Sequence, residues 1–159
     1  MVIIVDTREK NEYTFGDIVT IRQKLDAGDY SVAGLEDRVA IERKNIDDFV
    51  NTVIYHKERF HNELCALARM DFAAIVVEAS LSDILEHRYK SGVRPASVIE
   101  ATISIMLAYR VPIIMASDRQ IACHITRSIL TKFEKRCWAL KNDINHRHNR
   151  RTTWSQPPR

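Results

Sequence analysis

Apolar residues near the start of the chain alternate with polar ones or run in short blocks, and beyond residue 45 they recur every three or four positions. That change of period predicts strands first, then helices interleaved with further strands. Residues 2–5 read as a buried strand ending at Asp6-Thr7-Arg8-Glu9, and residues 18–25 alternate like a second. Two more strands flank Gly34-Leu35-Glu36-Asp37, a hairpin loop with a glycine at its head. Ile46, Phe49, Val50, Val53 and Ile54 then share a helical face, with Asn45 as N-cap and Asp47 and Asp48 in the first turn. Phe60, Leu64 and Leu67 mark a second helix, residues 72–78 a strand and residues 80–86 a short helix. Pro95 opens a long helix through Tyr109, residues 112–116 form the last strand, and a final helix runs from residue 118 to about 140. Strands followed by strand–helix alternation predict an α/β domain with a mixed sheet and helices on its faces.

The hairpin carries the candidate chemistry. Folding Gly28-Asp29-Tyr30 and Val39-Ala40-Ile41-Glu42-Arg43-Lys44 symmetrically about the loop sets Val32 opposite Val39 and Asp29 opposite Glu42. Side chains alternate along a strand, so Glu42 and Lys44 share a face with Asp29, while Arg43 points to the other side. Opposed like charges destabilise a sheet unless something neutralises them, and a hard divalent cation held by carboxylate oxygens would do so. The same residues also suit a turn aspartate beside a solvated edge strand, so both readings stand at this point.

At 159 residues with a net charge of +3, the chain has the length and composition of one ordinary globular domain. The basic excess belongs to residues 141–159, which hold five basic residues (Lys141, Arg147, Arg150, Arg151, Arg159) against Asp143 alone. This segment is expected to be a flexible tail beyond a domain of residues 1–140. It would serve either as an electrostatic arm for nucleic acid or as a solubilising end. Cys65, Cys123 and Cys137 are too few and too widely spaced for a disulfide framework or a zinc motif. The four glycines are scattered, which leaves no phosphate-binding loop and no nucleotide cofactor to expect. No apolar run approaches a membrane span and no signal peptide opens the chain, so a cytoplasmic location without membrane attachment is expected.

Taken together, Ile4-Val5-Asp6-Thr7-Arg8-Glu9, Gly28-Asp29-Tyr30, and Glu42-Arg43-Lys44 with Asp48 four positions on resemble the nuclease domain of the XPF/Hef family. Arg59-Phe60 and Val111-Pro112-Ile113-Ile114 agree with it, and the resemblance covers roughly residues 2–140. It implies a restriction-endonuclease-like fold and structure-specific cleavage of branched or flapped DNA in repair or recombination. Asp29 and Glu42 would hold Mg²⁺ or Mn²⁺, with Asp6 as a third carboxylate acting through the metal's water shell. Lys44 would orient or help deprotonate the attacking water and offset charge in the transition state. Arg43 would brace the site from behind or reach DNA. Asp48 is a signature position that doubles as a helix-start charge. Arg8 and Arg59 are candidate phosphate contacts, unless Arg59 is spent on an ion pair with Glu63 one turn on. Arg147, Arg150 and Arg151 would add tail contacts to DNA.

The resemblance also implies a homodimer through the nuclease domain. Ile121, Ile125, Ile129, Phe133 and Trp138 load the last helix with apolar surface that core packing alone also explains. Two features depart from the family. Glu63 stands where many members carry glutamine, and the chain has no appended tandem helix-hairpin-helix. A stand-alone catalytic domain of the bacterial or phage kind is therefore expected. The alternatives are a DNA-binding scaffold subunit without activity, and a resolvase or RNA-directed nuclease of the same wider fold. Asp29, Glu42 and Lys44 together favour the enzyme.

Overall fold

The computed structural model describes residues 1–152: backbone alone for 143–152, and side chains elsewhere except that of Lys57. The elements run β1 (Ile3–Val5), β2 (Thr20–Arg22), β3 (Tyr30–Val32), β4 (Val39–Asn45), α1 (Ile46–Tyr55), α2 (Lys57–Leu67), β5 (Phe72–Glu78), α3 (Leu81–Leu85), α4 (Pro95–Tyr109), β6 (Ile113–Met115) and α5 (Arg119–Thr152). The strands form one sheet in the order β2-β1-β3-β4-β5-β6. The β1–β3 and β3–β4 pairs are antiparallel and the other three parallel. This is the expected α/β domain with a mixed sheet flanked by helices.

Each central strand is buried on both faces, and alternation decides which core each residue joins. Ala40, Ala73, Ile75 and Val77 pack under α1, α2 and α4 with Phe49, Val53, Leu64 and Val98. Val39, Ile41, Ala74 and Val76 face the opposite way, against Ala122, Leu130 and Cys137 of α5 and the Tyr13, Phe15 and Tyr30 rings. The parity continues past Ile41: Glu42 and Lys44 follow Ala40 towards the α1–α2 side, and Arg43 follows Ile41 towards α5. The hairpin register is the expected one, since Tyr30 pairs with Ile41 and the Asp29 amide donates to the Ile41 carbonyl at 2.9 Å. Asp29 therefore stands across from Glu42.

Gly28 makes this approach possible. Its φ is +75°, and a Cβ there would lie 2.9 Å from the Ala40 Cβ and 3.2 Å from the Ile41 oxygen. At the other end of β4, Asn45 caps α1 by accepting the Asp48 amide. Strand β4 therefore runs straight into a helix without a linker.

Two boundaries differ from expectation. The strand expected over residues 18–25 shrinks to three exposed residues paired with β1 alone, because β1 ends at Val5 and leaves no ladder beyond it. The chain then turns so that the Leu25 amide meets Asp6. Helix α5 continues past residue 140 to Thr152, about 51 Å in all at 1.5 Å per residue. The polarity that suggested a tail does not end a helix, and no glycine or proline stands there before Pro157. Residues 153–159 lie outside the described residues, as do the side chains of Arg147, Arg150 and Arg151.

Candidate active site

The C-terminal half of β4 opens into a cleft of about 640 Å³ lined by Arg8, Glu9, Lys10, Asn11, Asp29, Glu42, Arg43, Lys44, Asp48, Asn51, Thr52, His56 and Arg59. A second hollow shares Arg8, Asp29, Glu42, Lys44 and Arg59 with it and adds Asn62 and Glu63 of α2. A smaller apolar hollow of about 290 Å³ between α1, α2 and α4 contains none of these groups.

Lys44 lies at the centre. Its Nζ donates to Glu42 Oε1 at 2.7 Å and pairs with Glu63 Oε1 at 3.4 Å, while the Phe60 ring lies 5.5 Å beneath it. Burial alone would lower the lysine's pKa, but the Glu42 and Glu63 carboxylates outweigh it and hold the ammonium above its ordinary range. As held here, Lys44 is a charged hydrogen-bond donor and counter-charge rather than a neutral amine. Glu63 is therefore spent on Lys44, not on Arg59, and Arg59 is exposed at the cleft mouth with no ion pair among the described residues.

The two opposed carboxyls are electrostatically loaded. Asp29 accepts the Arg43 amide at Oδ2, 2.8 Å, yet burial, with Glu9 and Glu63 nearby, pushes it up to about 6. Glu42 is 9% exposed, and burial followed by the field of Asp29 raises its pKa well above the usual carboxylate range. The Arg43 amide occupies only Oδ2 of Asp29, and Glu42, besides its bond from Lys44, lies within hydrogen-bonding reach of the Glu63 carboxyl, a carboxyl–carboxyl approach that raises its pKa further. Two hard oxygen donors whose mutual repulsion Lys44 offsets only in part suit a divalent cation. No three Asp, Glu, His or Cys side chains among the described residues form a ready-made cage. The pair therefore fits a cation that completes its shell with water and phosphate oxygens, as Mg²⁺ does.

Asp6 takes a different role from the one expected. It is 1% exposed, and four donors occupy its oxygens: the Arg8 amide (2.8 Å) and Nε (2.7 Å) at Oδ1, and the Leu25 amide (2.6 Å) and Arg8 Nη2 (3.1 Å) at Oδ2. Burial raises its pKa, but these hydrogen bonds outweigh it and the carboxyl falls below its ordinary value. Asp6 is absent from the cleft lining and serves as the mount for Arg8. That guanidinium, also bonded to the Leu25 carbonyl, stands 64% exposed over the cleft. Asp48 sits on the outer rim, and its carboxyl accepts the Asn45 side-chain amide. It completes the α1 cap while facing the cleft.

Arg43 points away from Glu42, as alternation requires. Its Nε and Nη2 each donate to Glu78 at 2.8 Å, and Glu9 lies 3.6 Å off. Sequence reasoning missed Glu78 as a partner. The available signal was an acid closing the apolar strand of residues 72–78. Glu63 stands out in the sequence as a departure from the family, but nothing there points to its pairing with Lys44.

With this geometry in hand, the comparisons with known proteins are specific. A family model described as the ERCC4 domain matches residues 5–129. The chain is 29% identical over 118 residues to the 3′-flap repair endonuclease Xpf of Saccharolobus solfataricus, covering 74% of this chain and 47% of that protein. It is 32% identical over 132 residues to a Methanocaldococcus jannaschii protein named for an ATP-dependent RNA helicase, covering 82% of this chain and 15% of that protein. The chain thus spans less than half the length of these curated relatives. Among solved structures it resembles XPF from Aeropyrum pernix, with a TM-score of 0.65 and 22% identity over 82% of this chain and 60% of that one. The DNA complex of the same protein matches with the same TM-score and identity, over 84% and 65%. The signature, the fold and the family match coincide, and the chain belongs to the ERCC4-domain family of XPF/Hef-type nuclease domains.

Proposed function

We propose that this domain is a metal-dependent, structure-specific DNA endonuclease that hydrolyses phosphodiester bonds in branched or flapped DNA during repair or recombination. The observation that carries the proposal is the convergence of Asp29, Glu42 and a protonated Lys44 in a cleft rimmed by Arg8 and Arg59. The flap endonuclease among the relatives supports the substrate class. Asp29 and Glu42 would hold Mg²⁺ or Mn²⁺. When bound, the ion would supply Lewis acidity at the phosphate and lower the pKa of a water. Lys44 would orient the attacking water by hydrogen bonding and offset the negative charge that builds on the phosphate, roles that suit a persistently charged ammonium. Arg8, mounted on Asp6, and Arg59 grip flanking phosphates, while Arg43 acts from behind the strand.

A homodimer fits the exposed apolar residues Ile103, Met106 and Leu107 of α4, which share a helical stripe, and Ile121 and Trp138 of α5. Ile125, Ile129 and Phe133 are partly buried against the sheet. Among the described residues no helix is long and apolar enough to cross a membrane.

The test is cleavage of labelled flap, fork, Holliday-junction and duplex DNA with Mg²⁺, Mn²⁺ or EDTA, by wild type and Glu42→Ala. Metal-dependent cutting of branched substrates that disappears in the variant, with DNA binding and the fold retained, is the expected result. Cutting by Glu42→Ala at the wild-type rate would refute the metal assignment. Tight binding of branched DNA without cutting by wild type would favour the scaffold reading.

A further inference from the structure

The wall of the cleft opposite α2 is the segment after β1, which carries Arg8, Lys10 and Asn11 and forms neither helix nor strand. An isolated loop that places cations against a phosphodiester would be held loosely, so its outside anchors decide how well it is placed. One anchor is Arg119, the first residue of α5. Its Nη2 donates to the Asn11 and Glu12 carbonyls at 2.8 Å each. Its Nη1 donates to Glu78 Oε1 at 3.1 Å, the oxygen that also receives Arg43 Nε. Both guanidiniums lie against the Tyr13 ring, 4.9 Å from the centroid for Arg119 and 5.8 Å for Arg43. One planar fork therefore ties the loop, the end of β5 and the back of the catalytic strand together.

We propose that Arg119 is a positioning residue for phosphodiester cleavage, strapping the Arg8–Asn11 wall of the cleft to Glu78 and through it to Arg43 on β4. The proposal rests on reading the cleft as a nuclease site. The Glu78 side chain is 10% exposed and carries two guanidiniums, so the joint is largely sheltered from water. Arg119 itself is 45% exposed and touches neither Asp29, Glu42 nor Lys44, so its removal leaves the metal-binding carboxyls in place. A lysine could carry the charge, but a single nitrogen cannot serve Glu78 and both carbonyls from one plane.

The experiment compares wild type, Arg119→Gln and Arg119→Lys in the full chain. Hydrogen exchange is read at the amides of Glu9, Asn11 and Tyr13, each hydrogen-bonded in the fold. Steady-state cleavage of flap DNA and Mn²⁺ binding without DNA are measured alongside. Both variants should exchange faster at these amides and bind Mn²⁺ as wild type does. Each should show KM raised about tenfold, about what one misplaced charge-assisted contact between the loop and a phosphate would cost, with kcat within about twofold. Wild-type KM in Arg119→Lys with the amides still protected would overturn the proposal, because a direct phosphate contact by charge alone would explain it. Wild-type exchange and kinetics in both variants would overturn it too. If wild type cuts no DNA with any metal, the nuclease reading fails by itself, and the exchange rates still decide whether the strap exists.

Discussion

Asp29 offers a test of the site that needs no DNA. Its carboxyl is pushed from an ordinary 3.8 up to about 6, chiefly by burial, with Glu9 and Glu63 adding to the rise and the Arg43 amide and Lys44 opposing it. A carboxyl whose pKa is higher in the folded chain than in the unfolded one destabilises the fold at neutral pH. The penalty fades as pH falls through about 6 towards 3.8. At about 1.36 kcal/mol per unit, the shift sets a ceiling of about 3 kcal/mol on what the ionised Asp29 costs the metal-free protein. Part of that is shared with Glu42, whose pKa is raised first by burial and then by Asp29. A net gain of about 1–2 kcal/mol is therefore expected on removing the charge.

Asp29→Asn does this while keeping an oxygen for the Arg43 amide. In thermal unfolding with EDTA at pH 7.5 the variant should be the more stable protein, by about 2–4 °C of melting temperature per kcal/mol. At pH 4 the advantage should all but vanish, since the wild-type carboxyl is then protonated in the fold. Saturating Mn²⁺ at pH 7.5 should narrow the gap by stabilising wild type alone. An Asn variant less stable than wild type at pH 7.5 in EDTA would refute the electrostatic argument, as would an equal gain at both pH values. A gap that Mn²⁺ leaves unchanged would refute the cation assignment.

Two further outcomes are expected. Gly28→Ala should lower stability by about 1–3 kcal/mol, because it meets both a positive φ and the Ala40 side chain. Gly34→Ala, with φ +78° and open space, isolates the φ contribution, so equal melting temperatures for the two variants would show that the close approach is not tight. Truncation after Leu140 should leave the fold intact, since Cys137 is the last buried core residue among those described. It should also flatten the salt dependence of DNA binding by about 0.9 in slope for each phosphate that the removed segment neutralises. An unchanged slope would show that residues 141–159 do not touch DNA.

What could be read from the sequence follows from how local each determinant is. The hairpin register, the shared face of Asp29, Glu42 and Lys44, and the outward turn of Arg43 all depend on a period of two and a short connection, six residues between β3 and β4, which neighbouring residues specify. The cap at Asn45 and the bounds of β5 and α4 are equally local. Asp6 shows the limit. An aspartate at the end of a buried strand reads the same whether its oxygens face a metal or are filled, and the deciding donor, the Leu25 amide, comes from 19 residues away, just after a strand that stops early. The partners of Arg43 and Arg119 are more distant still, 35 and 108 residues in the case of Glu78 and Asn11. They meet only because the sheet order sets β5 beside β4 and α5 starts where β6 delivers it.

Alternation along β4 also explains how this short segment can carry poorly compensated charge and still be held rigidly. On the Ala40 side, Glu42 and Lys44 face a cleft where charge is poorly compensated, which favours binding a cation and an anionic backbone but strains the fold. On the Ile41 side, the residue between them sends its guanidinium into a bidentate pair with Glu78, a second carboxylate at Glu9 and an aromatic ring, all largely sheltered. A strand carrying only the first set would tend to move so as to relax the repulsion between Asp29 and Glu42. Fixing its opposite face prevents that relaxation, so the repulsion remains available to favour a cation. The order Glu-Arg-Lys follows from this division, since the brace must stand at the odd position if the two chemical groups are to share a face.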